Sequence, residues 1–130
     1  MKRVSLIAVC LLIGAPSAWA AGKAAPRAHE RIPVTVRVDF GPANKPTLEQ
    51  QVLVNQGSTP KDVLSLLVPI QSGEVCCDTR EVLVVDGVRP DPSTNRWWTC
   101  RVNRSTTISP HQTELQAGDQ VEWLYREVPQ

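Results

Sequence analysis

After its first fourteen residues the chain has no long apolar run, it has no excess of one charge, and it carries no catalytic motif. Each absence removes a class of function. Nothing beyond Gly14 approaches the length needed to cross a bilayer, so no membrane span is expected once the N-terminal segment is gone. The balance of 14 Lys and Arg against 13 Asp and Glu offers no basic face for releasing phosphate counterions, which argues against a nucleic-acid partner. Motifs for hydrolysis, phosphate cradling, hydride transfer and metal catalysis are missing, and no acid/base pair stands at a defined spacing. A non-enzymatic role is expected.

What is present begins with an export signal. Lys2 and Arg3 open the chain, Val4 to Gly14 is apolar but short, and Ala18-Trp19-Ala20 is a small-x-small cleavage site before Ala21. Residues 1–20 therefore read as a secretory signal peptide, and the product as secreted or periplasmic. Cys10 is not a lipid anchor, because Val9 stands where a small residue is required. Cleavage removes Lys2 and Arg3 from the 14 basic residues, leaving 12 against 13 acidic ones, and 130 less 20 leaves 110 residues, enough for one domain. Residues 21–32, rich in Ala, Lys, Arg and Pro, read as a flexible leader.

From Pro33, Val34, Val36, Val38 and Phe40 alternate with Thr35, Arg37 and Asp39, the period of two that buries one face of a strand. The turn chemistry of residues 41–46 and a weaker alternation through Leu48, Val52 and Val54 complete an N-terminal hairpin. Thr59-Pro60 with Asp62 starts a helix. Val63, Leu66 and Leu67 form its apolar stripe, and Pro69 ends it after about two turns. A linker through Gly73, a strand over residues 81–85 closed by Asp86-Gly87, and a stiff loop from 87 to 96 come next. The pattern then becomes aromatic. Three of the four tryptophans and the single tyrosine lie in the strands Trp97–Asn103 and Gln120–Arg126, joined by an irregular stretch over 104–113. This order predicts an α+β fold in which one short helix crosses a mostly antiparallel sheet of four to five strands, a β-grasp arrangement.

The residues in that order resemble the transcobalamin-like C-terminal domain, a β-grasp family, over about residues 33–127. The likeness rests on Val34-Thr35-Val36-Arg37-Val38, Gly57-Ser58-Thr59 with Val63-Leu64, Val85-Asp86-Gly87-Val88, and Trp98-x-x-x-Val102-Asn103 followed by Gly118-Asp119-x-Val121-x-Trp123-x-Tyr125. Arg104 departs from it, since the family often has glycine after the Val-Asn pair, and a longer or differently shaped loop is expected there. In the cobalamin carriers this domain supplies one side of the ligand site and a helical domain the other. Cobalamin binding does not follow from the resemblance alone, and no cofactor is assigned.

Cys76, Cys77 and Cys100 remain after cleavage. In an oxidising compartment Cys100 could bridge to Cys76 or Cys77, the adjacent pair could join, or the thiols could stay unpaired. Cys76, Cys77, Asp78 and His111 match no zinc spacing, and no metal site is assigned. Thiol catalysis with His111 lacks an orienting motif.

Trp97 and Trp98 must point to opposite faces of their strand. Alternation puts Trp98, Cys100 and Val102 on the core side and Trp97, Thr99 and Arg101 on the other, with Arg96 at the end of the 87–96 loop just before them. These last four are the candidate contacts, rimmed by loops 87–96 and 104–113; a Trp97 roofed by the first loop is the structural alternative. Trp123 is expected in the core. Asn103-Arg104-Ser105 fits a glycosylation acceptor, a pattern too short to carry weight. The expected function is capture of a small, flat ligand, with interaction with an envelope protein or a purely structural role as alternatives.

Overall fold

The computed structural model describes residues 30–73 and 82–129. The expected signal peptide, the expected leader as far as residue 29, and Cys76 and Cys77 lie outside the described residues. Strands β1 (Arg31–Asp39), β2 (Leu48–Asn55), β5 (Arg96–Val102) and β6 (Gln120–Glu127) form one sheet in the order β2-β1-β6-β5. The outer pairs are antiparallel and the central pair, β1 with β6, is parallel. A parallel pair needs a long crossover. Helix α1 (Pro60–Leu67), the small sheet of β3 (Ile70–Gly73) and β4 (Val82–Val85), and strand β5 all fall within it.

The α+β architecture with one short helix on a sheet is as expected. Strand β4 differs from expectation: it pairs with β3 and makes a separate two-stranded sheet, where the sequence suggested a linker at 71–73 and one sheet for all the strands. Asp86 and Gly87 account for this. Their φ angles of 47° and 79° make a two-residue turn closed by Val85 and Val88, and the Asp86 N–H donates to the Pro69 carbonyl, which holds the end of β4 against the start of β3.

Burial follows the period of two in β1, where Val34, Val36 and Val38 are fully enclosed. The strand also starts earlier than Pro33, because Arg31 and Ile32 pair with Asn55 and Val54 of the hairpin partner. Helix α1 begins at a reciprocal cap: the Thr59 hydroxyl accepts from the Asp62 N–H, and the Asp62 carboxylate accepts from the Thr59 N–H at 2.9 Å. Such caps contribute about 1 kcal/mol. Its buried stripe is Pro60, Val63 and Leu64 with Leu67 packed beside them, whereas Leu66, expected on the stripe, is 67 % exposed. At about 100° per residue, positions 60, 63, 64 and 67 share a face and 66 falls outside it.

One core cluster joins the inner face of the sheet, α1, and Leu83 and Val85 of β4. Trp123 lies within it, 3 % exposed, its indole N–H donating to the Pro60 carbonyl at 3.3 Å. Leu115, from the connection between β5 and β6, is fully buried. The opposite face of the sheet carries charge. Glu49 of β2, Arg37 of β1, Glu122 of β6 and Arg101 of β5 stand in successive register and form a row of alternating charge across all four strands.

The turn after β5 decides between the two alternatives expected there. Arg104 does not lengthen the loop: Val102 and Ser105 exchange backbone hydrogen bonds of 3.1 and 2.9 Å around a two-residue turn in which Asn103 and Arg104 hold φ of 49° and 68°. Asn103 secures it, its amide donating to Asp119 at 2.8 Å and its side-chain oxygen accepting from the Gln120 N–H at 2.9 Å.

Candidate binding groove along strand β5

Strand β5 is an outer strand of its sheet, and a groove of about 490 Å³ follows it. Trp97, Trp98, Thr99 and Cys100 form one wall. Leu83 from β4, residues 108–111 from the irregular stretch, Trp123 and Val128 complete the lining. Both neighbouring tryptophans can border it because the groove runs beside the strand, where side chains from either face of the sheet reach its edge.

The two indoles are held differently. Trp98 turns toward the core: its N–H donates to the Val88 carbonyl at 3.0 Å, Phe40 meets it edge-on with centroids 5.5 Å apart, and Tyr125 lies tilted at 5.3 Å. Edge and offset contacts of this kind suit the aromatic quadrupole. Trp97 lies on the other side of the strand and donates its N–H to the Asn95 side-chain oxygen at 3.0 Å. Asn95 has φ of 51° at the end of the short turn Pro92–Thr94, which is capped by Asp91, whose carboxylate accepts from the Ser93 N–H and from the hydroxyls of Ser93 and Thr94. These bonds hold the Asp91 carboxyl below its ordinary range. Proline, cap and left-handed asparagine together fix the loop that orients Trp97.

Cys100 is a buried free thiol whose pKa is pushed up to about 12 by desolvation. A thiol so raised stays protonated at neutral pH and is a poor nucleophile. Tyr125 is raised by burial first and by the nearby Asp91 charge second.

The four candidate contacts divide. Trp97 and Thr99 border the groove, whereas Arg96 and Arg101 border a separate concavity reached from the polar face. Of the two expected rims, residues 104–113 contribute Ile108 to His111 to the groove lining, while the 87–96 loop contributes support through Val88 and Asn95. Leu83 and Val128 went unnoticed in the sequence because isolated aliphatics near strand ends carry no signal of their own. Among the described residues no cluster of His, Cys, Asp and Glu is arranged to hold a metal ion, and no helix is long and apolar enough to cross a membrane.

No family model matches the chain, and no curated protein matches it either. Solved structures do. Haptocorrin in complex with Cbi superposes with a TM-score of 0.61 at 14% identity, over 76% of this chain and 26% of that one. A protein from Ruminococcus gnavus ATCC 29149, provisionally described as a metal binding protein, superposes with a TM-score of 0.52 at 23% identity, over 77% of this chain and 99% of that one. At these identities the likeness establishes a shared fold. The chain spans about a quarter of the haptocorrin chain.

Proposed function

We propose that this chain is an exported, non-enzymatic binding module of the transcobalamin-like type, and that it takes a small, flat, largely apolar ligand in the groove beside β5. The observation that carries the reading is the groove itself. Its volume of about 490 Å³ falls within the roughly 300–1,000 Å³ of small-molecule sites, which are lined mainly by apolar and aromatic groups with a few polar ones. Indole faces suit a planar partner. The likeness to haptocorrin solved with Cbi supports a corrinoid as the first ligand class to try, and the pattern of residues 1–20 supports export. The buried, protonated Cys100 offers no nucleophile, in keeping with binding without chemistry.

Titration with corrinoids and other planar ligands, followed by tryptophan fluorescence, tests the reading. Saturable quenching that Trp97→Ala weakens at least about tenfold is expected, because truncating a central aromatic contact commonly removes 1.4 kcal/mol or more. Silence across the ligand set, or binding indifferent to Trp97, rejects it.

A second reading, docking on an envelope protein, is favoured by the other outer strand. β2 is exposed along most of its length, with Leu48 at 38% and Leu53 at 58% exposure, and an open strand can accept an added one. Crosslinking in the envelope fraction that Leu53→Lys abolishes and Trp97→Ala leaves intact supports this alternative.

A further inference from the structure

Apart from the groove, Arg37 of β1, Arg101 of β5 and Arg126 of β6 on the polar face, joined by Arg96 at the start of β5, line a concavity of about 450 Å³. Two of these guanidiniums have partners. Arg101 Nη2 is 3.1 Å from Glu122 Oε2, and Arg37 Nη2 is 3.5 Å from Asp39 Oδ2. The other two, Arg96 and Arg126, are in no ion pair among the described residues, although Glu127 stands opposite Arg96 in register and lines the same space. Arg101 adds a third deficit, for its Nε is buried and has no hydrogen-bond partner. Buried N–H groups nearly always find an acceptor.

We propose that this concavity binds an oxyanion, the carboxylate or phosphate group of a small acidic molecule. The guanidinium fork matches both groups in geometry, and the hydrogen bonds it donates to an ionised acceptor are among the strongest a protein surface makes. Four arginines and the three acidic residues Asp39, Glu122 and Glu127 line the space, so one positive charge is left over, as a monoanionic group requires. The internal pairs also brace the site: Glu122 lies between Arg37 and Arg101 in the sheet register and restrains the latter. Strands rather than loops carry all four arginines, which favours a preformed geometry.

Two-dimensional NMR of the full chain, titrated with inorganic phosphate and separately with acetate against chloride at matched ionic strength, decides the matter. Saturable shifts are expected at the backbone amides of Arg96, Arg101 and Arg126 and at the Arg101 Nε–H with either oxyanion and not with chloride, the stronger series identifying the preferred group. The double substitution Arg96→Gln with Arg126→Gln is expected to weaken binding about tenfold or more, while Arg104→Gln leaves it unchanged; an unaltered indole resonance of the buried Trp123 certifies the fold in each case. Shifts that chloride reproduces, that never saturate, or that survive the double substitution overturn the proposal. The probes and reporting residues differ from those of the groove, so the two sites succeed or fail separately.

Discussion

Arg101 and Glu122 face each other across the β5–β6 ladder with Nη2 and Oε2 3.1 Å apart, their side chains 28% and 21% exposed. Partial burial lifts this pair above the usual surface ion pair, yet water still screens it. A double-mutant cycle with Arg101→Gln and Glu122→Gln, read by urea unfolding, is expected to give a coupling of about 0.5–1 kcal/mol that shrinks as salt is raised. A coupling near zero at low salt contradicts the braced-site geometry.

Arg104 occupies a backbone conformation that suits glycine, with φ of 68° in the turn between Val102 and Ser105. The left-handed region costs a side-chain-bearing residue about 1 kcal/mol, and glycine returns part of that gain through its more mobile unfolded state. Arg104→Gly is expected to stabilise the domain by a net of about 0.5 kcal/mol, a rise in Tm of a few degrees that calorimetry resolves. A fall in Tm contradicts the turn geometry.

That turn illustrates what local sequence could and could not convey. The alternation of β1, the capped start of α1 at Thr59 and the aromatic strands were legible because each rests on short-range periodicity or capping chemistry. The shape of the 103–104 turn was not, since Asn103 reaches Asp119 and Gln120 sixteen and seventeen positions away to hold Arg104 in an unfavoured conformation. Pairing of β4 with β3 was hidden for a similar reason: a run of four residues, Ile70–Gly73, says nothing about which strand it will meet. Of the candidate contacts, Trp97, Thr99 and Arg101 were expected on one strand, and Arg96, expected at the end of the preceding loop, opens β5. Their division between groove and concavity depends on elements distant in sequence, Leu83 and Val128 on one side and Arg37 and Arg126 on the other.

Gly41 lies against the end of β6. It holds φ of 49°, and a Cβ added there would come within 2.3 Å of the Tyr125 carbonyl oxygen, a backbone atom that cannot swing aside. Both the conformation and the clash oppose Ala. Gly41→Ala is expected to cost about 2 kcal/mol or more in chemical denaturation, against only about 0.5 kcal/mol for Gly57→Ala, where φ is also positive but an added Cβ meets nothing. Equal stability of Gly41→Ala and the wild type contradicts the close approach.

Cys100 couples burial to pH in a direction that can be worked out. Its folded pKa is about 12 against an ordinary 9.0, raised by desolvation, so the folded state holds its proton more tightly than the unfolded chain does. The contribution to stability is therefore fully present below about pH 9 and is lost as pH rises toward the folded value. Two outcomes follow at the bench. Native protein exposed to iodoacetamide at pH 8, digested and mapped by mass spectrometry, should leave the peptide containing Cys100 unmodified, while denaturant makes it react, because the thiolate is the attacking species and burial suppresses it. Urea midpoints of the wild type should also decline more steeply above pH 9 than those of Cys100→Ala, which has no group to titrate there even though its cavity lowers stability at every pH. Ready labelling of Cys100 in the native state, or parallel pH profiles for the two proteins, would show that this thiol is open to solvent and that the inner wall of the groove is not closed behind it.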